Sequence, residues 1–195
     1  MSIDLAPERS GSTTVERGSS GSAGAGTAVE RGPAAYAAPG GTARPPLSPN
    51  ALRRIVRDLA ERPERWLHRV RLSAENRWYE RLELAEDYEV WVISWLPGQS
   101  TGFHDHGGSR GAFTVALGEL EELALAGPEH GLTVRRLSAG SERAFGPQYL
   151  HDVRNTAQGP AVTLHAYSPP LSEMSHYELR VGGLVKTSTE GAEQW

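Results

Sequence analysis

The stretch VWVISWLPGQSTGFHDHGGSRGAFTVALG, residues 90–118, decides how this chain is read. It opens on a run rich in β-branched and aromatic residues, in which Val90, Val92 and Ser94 alternate with Trp91, Ile93 and Trp95. Alternation of that period is a strand signal, and Pro97-Gly98 closes it as a turn. At the centre stands His104-Asp105-His106. On a strand, positions i and i+2 share a face with Cα atoms roughly 6.6 Å apart, so two imidazoles placed this way can converge on one metal ion. Taken alone, the pair also fits two hydrogen-bonded histidines on a polar face. A second strand-like run, Ala112–Leu117, follows and ends at Gly118.

Further strand-like runs lie at Leu120–Ala124, Leu132–Leu137, Ala161–Ser168 and Met174–Val181, divided by Gly, Pro, Asn and Asp. Short strands with turn signals and almost no helix between them predict an all-β sandwich or barrel. Upstream, Ser48-Pro49 is a capping residue followed by proline at the first helical position, and Leu52, Ile55, Val56 and Leu59 fall at helical spacing. A second short helical stretch is expected around Trp66 to Val70. Residues 1–45 are dominated by Gly, Ala, Ser and Pro, and their few large apolar side chains (Ile3, Leu5, Tyr36) have no periodic partners. Such a segment cannot bury enough surface to offset its ordering entropy, so a disordered tail is expected there, with one domain over residues 46–195.

Composition narrows the function classes. Among 195 residues, 20 Lys+Arg stand against 24 Asp+Glu, a net charge of −4, so no broad basic field draws in phosphates and nucleic acid is not an expected partner. Cysteine is absent, which removes disulfides, thiolate metal sites and a thiol nucleophile together. Any metal must therefore sit on nitrogen and oxygen. The N-terminus lacks a secretory pattern and no stretch has the roughly 18 to 20 apolar residues of a membrane span, so a cytoplasmic, membrane-free protein is expected. Nothing in the sequence sets an oligomeric state, and a monomer is the simplest expectation.

A second histidine motif lies downstream as Gly140-SERAF-Gly146-P-Gln148-YL-His151-DVR-Asn155. With Gly98-QSTGF-His104-D-His106-GGSR-Gly111-AFTVAL-Gly118, it resembles the paired motifs of the cupin superfamily, G-x5-H-x-H-x3–4-E-x6-G and G-x5-P-x-G-x2-H-x3-N. Gly146 and Gln148 replace the proline and glycine of the second motif. Gly111 replaces the metal-binding glutamate of the first, so the usual carboxylate ligand is missing. That absence narrows the resemblance to the cysteine dioxygenase family, cupins with three histidine ligands. The segments WLPGQSTGFHDHGGSRGAF and VTLHAYSPP, and Tyr79-Glu80-Arg81 as a Tyr-x-Arg, are similar to that family's own.

The resemblance implies a small cupin-type, jelly-roll-like β-barrel that holds one Fe(II) per chain through His104, His106 and His151. It implies oxidation of L-cysteine by O2 to cysteine sulfinate, with Arg81 clamping the substrate carboxylate and Tyr79 near it. A sister thiol dioxygenase acting on 3-mercaptopropionate, where glutamine is typical at the arginine position, and a non-catalytic metal-binding cupin are the rival readings. Arg77 and Arg71 are neighbouring candidates for the clamp. Three neutral imidazoles leave a divalent ion its full +2 charge, which favours anionic ligands, whereas zinc in the same site would support only Lewis-acid chemistry.

Thr163, His165 and Tyr167 are spaced by two and share a strand face, forming either a self-satisfied polar ladder or, as the resemblance implies, a row that orients Tyr167 toward the metal with Thr163 behind His165. Mammalian-type members carry a cysteine at the position of Gly111, joined to the tyrosine that matches Tyr167; glycine here leaves Tyr167 untethered. His68, His130 and His176 lie outside any motif and are expected to be surface or core polar residues. Trp91 and Trp95 are expected to pack in the core.

Overall fold

Ser48 begins the ordered helix as its side chain predicts: Ser48 Oγ accepts the Ala51 backbone N–H at 3.2 Å and Pro49 occupies the first turn. The computed structural model describes residues 44–125 and 131–194, so the expected disordered tail, apart from its last two residues, lies outside the described residues, as does His130. Helix α1 spans Pro49–Ala60. The helical stretch expected near Trp66 forms two single 3-10 turns instead, Pro63–Arg65 and Leu67–Arg69. The indole of Trp66 explains the interruption, because it turns inward between them and donates to the Leu59 carbonyl at 3.1 Å.

The strands are β1 Trp78–Leu84, β2 Glu89–Trp95, β3 Phe103–His104, β4 Arg110–Leu117, β5 Glu119–Leu125, β6 Leu132–Ser138, β7 Glu142–Phe145, β8 His151–Arg154, β9 Ala161–Ser168, β10 Glu173–Arg180 and β11 Gly183–Gly191. They form two antiparallel sheets, ordered β1-β2-β9-β4-β7 and β11-β10-β3-β8-β5-β6. This is the expected all-β cupin architecture with a helical preface. The strands absent from the sequence reading are β1, β3, β7, β8 and β11; β3, β7 and β8 are too short to alternate, and β1 and β11 interleave charged or polar residues with their apolar ones.

Two apolar clusters explain the layering. Between the sheets lie Trp95, Phe113, Val115, Leu120, Leu137, Phe145 and Val153. On the outer face of the five-stranded sheet, Leu52 and Val56 of α1 pack with Trp66, Val90, Val92, Ala112, Val162, Leu164 and Ala166. Strands β2, β4 and β9 are therefore covered on both faces, which is why their sequences are apolar almost throughout. The chain passes from one sheet to the other at Gly118, whose φ of +77° favours glycine and where a Cβ would lie 2.5 Å from the Pro160 carbonyl oxygen.

The two histidine motifs are tied together by backbone and amide contacts. Asn155 Nδ2 donates to the carbonyls of Trp95 (3.1 Å) and Gly159 (2.9 Å), while the Gly98 N–H donates to Asn155 O at 2.8 Å. The asparagine of the second motif thus holds the end of β8 against the segment that leads into His104. Because Leu52 is fully buried between α1 and the sheet, Leu52→Ala should lower the unfolding free energy by about 2 to 5 kcal/mol. Chemical denaturation would check this, and an unchanged midpoint would show that α1 does not belong to the cooperative core.

Candidate metal centre

Strand register creates the site. His104 on β3 lies directly opposite His151 on β8, and His176 on β10 lies directly opposite His104 on its other side. Cross-strand partners share a face, so three imidazoles stand in a row across the sheet. Strand β3 ends at His104, so His106 comes from the following turn and not from a continuous strand as the spacing alone predicts. Its ring nevertheless returns to within 4.9 Å of the His104 ring centre and 5.2 Å of the His151 ring centre.

One ligand-capable nitrogen from each of His104, His106 and His151 lies within 4.8 Å of the others, and all three side chains are buried. Their hydrogen bonds fix which atoms are available. His104 Nδ1 faces the Gly102 carbonyl at 3.1 Å and His151 Nδ1 faces the Glu122 carboxylate at 3.0 Å. Both partners are acceptors, so both Nδ1 atoms donate to them and Nε2 is the atom each ring has left to offer a metal. Neither ring nitrogen of His106 makes a hydrogen bond of good geometry although both are buried, the Tyr149 backbone being a weak polar neighbour. An unpartnered buried polar atom is costly, and a cation shared with two other lone pairs removes that cost. The donor set, all nitrogen and charge-neutral, fits a divalent transition metal. Burial first, and then the neighbouring histidines, pull His104 and His106 far below the usual histidine range, which keeps them in the ligating form.

The cavity beside this cluster has a volume of about 130 Å³. Its walls include Trp91, Ile93, Trp95, Met174 and Leu171, with His104, His151, His165 and Tyr167 among its polar groups. Thr163, His165 and Tyr167 project from β9 as one hydrogen-bonded row. Trp95 Nε1 donates to Thr163 Oγ1 at 2.9 Å, His165 Nε2 lies 2.7 Å from the same oxygen, and His165 Nδ1 lies 3.1 Å from the Tyr167 hydroxyl. Burial lowers His165 to about 3 and raises the Tyr167 phenol above its ordinary value, so both are neutral at physiological pH. Tyr167 stacks on His106 with ring centres 5.2 Å apart. Gly111 lies opposite Tyr167 in the β4–β9 register, and a Cβ there would run into the Phe145 ring and approach Tyr167 Cδ1 to 3.1 Å. Phe145 thus fills the space that a larger residue at 111 would need.

The two basic candidates separate. Arg81 does not line the cavity: its side chain is 46% exposed, pairs with Glu89 at 3.4 Å and lies over the Trp91 ring, 5.4 Å from its centre. Arg77, four residues earlier and preceding β1, does line it, with its guanidinium 5.2 Å from the Trp95 ring centre. No carboxylate lies within ion-pair distance of Arg77 among the described residues. Burial pulls its guanidinium below the ordinary value, with Tyr79, Tyr167 and Asp152 opposing. Tyr79 is also in the wall, edge-on to Trp91 at 5.9 Å.

His176, expected to be a bland polar residue, lines the cavity 6.5 Å from the His104 ring centre with Glu190 beside it. No spacing rule links residue 176 to 104, because only the β3–β10 register brings them together. His68 stays outside the cavity, on the second 3-10 turn, in keeping with its expected surface role. Trp95 is fully buried, whereas Trp91 packs against the inter-sheet core and borders the cavity.

Three buried, neutral histidines make the metal-free protein acid-sensitive. His104, His106 and His165 titrate below 6.5 when folded and near 6.5 when unfolded, so below that pH the unfolded chain takes up protons that the folded chain refuses. Each such group removes about 1.4 kcal/mol of stability per pH unit. The melting temperature of metal-free protein should therefore fall steeply between about pH 6.5 and 5; a flat profile across that window would contradict the neutral assignment.

A model of the family described as cysteine dioxygenase type I matches residues 50–180. The cysteine dioxygenase type 1 of Homo sapiens is 28% identical over 105 residues, covering 49% of this chain and 52% of that protein, and the Danio rerio protein is 28% identical over 104 residues with the same coverage. The chain thus spans about half the length of the curated relatives it matches. Among solved structures, a cupin superfamily protein from Desulfitobacterium hafniense DCB-2 is similar with a TM-score of 0.46 and 13% identity, over 55% of this chain and 91% of the other. No helix among the described residues is long and apolar enough to cross a membrane. The family match runs from α1 to the end of β10, over more than half of the sequence, and the chain belongs to the cysteine dioxygenase type I family.

Proposed function

We propose that this chain is a thiol dioxygenase that holds one Fe(II) through His104, His106 and His151 and oxidises L-cysteine to cysteine sulfinate. The observation that carries this reading is a buried three-histidine cluster, without a ligating carboxylate, opening on a small cavity that also contains the unpaired guanidinium of Arg77. The reaction balances without an external reductant: R–SH + O2 gives R–SO2H, two S–O bonds replace the O–O bond, and sulfur supplies the four electrons that oxygen takes up.

Iron in this site supplies the redox chemistry that lets O2 react with a thiolate. The protein's residues position the substrate. Arg77 presents a planar, two-pronged donor to a carboxylate in a partly apolar cavity, and Tyr79 stands beside it. Arg81, the residue that the Tyr-x-Arg resemblance points to, has its charge engaged by Glu89, so we assign the clamp to Arg77. Thr163 accepts the Trp95 N–H and can give its own proton to His165 Nε2. His165 then donates from Nδ1 to the Tyr167 oxygen, and the phenol proton is left to point into the cavity, at a substrate or oxygen atom. Trp91, Ile93, Leu171 and Met174 keep bulk water from the reacting sulfur.

Oxygen uptake by iron-loaded protein offered L-cysteine, 3-mercaptopropionate and cysteamine tests the assignment. Fastest stoichiometric consumption with L-cysteine, yielding sulfinate, is expected. Preference for 3-mercaptopropionate would move the substrate to the sister class, and no uptake with any thiol would leave a binding protein. Arg77→Ala should lower kcat/KM for L-cysteine by roughly tens- to a thousand-fold and leave cysteamine, which has no carboxylate, far less affected. Arg81→Ala should change neither by more than a few-fold. The reverse pattern would return the clamp to Arg81.

A further inference from the structure

The cupin carboxylate missing at Gly111 has a counterpart outside the ligand set. On β5 the inward residues are Leu120, Glu122 and Ala124, so a glutamate occupies a fully buried position. Ala124 lies opposite His151 in the β5–β8 register, which makes Glu122 the diagonal neighbour of that histidine on the same face. Glu122 Oε1 accepts from His151 Nδ1 at 3.0 Å and from the Tyr149 hydroxyl at 2.9 Å. Glu122 Oε2 accepts from Arg143 Nε at 2.8 Å, with Arg135 Nη1 3.7 Å away. A buried carboxylate is tolerated only when it is paired and hydrogen-bonded, and these contacts provide both. Burial alone would raise the Glu122 carboxyl, but the His151 contact, with Arg143 and Tyr149, holds it below its ordinary value.

We infer that Glu122 is a positioning residue that acts on the bound metal through His151, supplying from the outer shell the negative charge that a ligating carboxylate would have supplied directly. The inference rests on the three-histidine reading of the site. A carboxylate that accepts the imidazole N–H fixes the ring's orientation and makes the opposite nitrogen a stronger donor. The metal thereby keeps its open positions and most of its charge for anionic ligands, while Arg143 limits how much charge reaches the ring. Arg143 touches Glu122 and Tyr149 but not a ligand histidine, so it modulates the same line of contacts from the far end.

The test uses full-length metal-free protein titrated with Co(II) against a competing chelator, together with the Fe(III)/Fe(II) midpoint potential of the iron-loaded protein, with no thiol or turnover involved. Wild type should bind one Co(II) tightly; if it does not, the three-histidine reading itself fails. Glu122→Gln keeps the size and an acceptor oxygen but removes the charge, and should weaken Co(II) binding by about 10- to 100-fold. It should also raise the midpoint potential, because less negative charge stabilises the ferric state. Arg143→Gln removes the counter-charge and should shift the potential the opposite way. Unchanged affinity in Glu122→Gln, or both variants shifting the potential in one direction as general loosening would, overturns the inference. Should Glu122→Gln fail to fold, the sign of the Arg143→Gln shift decides alone: a lowered potential supports the role, and an unchanged or raised one refutes it.

Discussion

Strand β9 is hydrogen-bonded along both edges, to β2 and β4, and all eight of its residues are buried. That double enclosure constrains much of the rest of the molecule. Val162, Leu164 and Ala166 must meet an apolar layer, which α1 and Trp66 provide. Thr163, His165 and Tyr167, facing the other way, must satisfy one another, because each unpaired polar group buried there would cost about 1 to 3 kcal/mol. The row running from the Trp95 indole to the Tyr167 phenol is the solution. Its rotamers are set by mutual hydrogen bonds and by stacking of His165 on Phe113 at 5.0 Å, so the cavity receives a wall that does not need a covalent tether.

The opposite wall follows from a different constraint, the register of β3 between β8 and β10. A one-residue slip would turn His104 to the other face and dissolve the cluster. Asn155 resists such a slip from one end, and Thr101 resists it nearby by accepting the Val153 N–H at 2.9 Å and donating its own N–H to the Val153 carbonyl at 2.9 Å. The three clustered histidines therefore sit on segments whose position is set by hydrogen bonds outside the cluster, which is the arrangement a pre-organised metal site would require.

Electrostatics then divides the interior by function. Burial holds His104 and His106 neutral, and the buried carboxylate that reaches the cluster, Glu122, is engaged by His151 and two arginines. On the cavity side, the cation without a carboxylate partner among the described residues is Arg77. With a divalent ion on the three histidines, as proposed, a cavity that also holds this guanidinium and is lined by Trp91, Leu171 and Met174 would favour small anions over neutral molecules. That preference is a property of this arrangement, and the family membership gives it a chemistry.

Much of this was legible in the residues. The alternation in β2 and β9 and the Ser48-Pro49 start of α1 were enough for an all-β domain with a helical preface, because local periodicity carries that information, whereas the cupin form and its three-histidine cluster came from the resemblance of two separate histidine motifs, with glycine at 111, to a known family. Arg77 was legible only as an alternative to Arg81, and the places of His176 and Glu122 were not legible. Each owes its place to cross-strand register or to which end of a strand borders the cavity, quantities that depend on pairing between segments far apart in sequence. Arg81 shows the limit most plainly: it carries the motif and lies on β1 four residues after Arg77, which precedes that strand, yet Glu89 and the Trp91 ring engage it and it does not line the cavity. The sequence by itself determined which side chains could chelate, since only the order and type of residues enter that chemistry. The tertiary structure decided which charges remain free to act on a substrate, since that depends on what each charge meets across the fold.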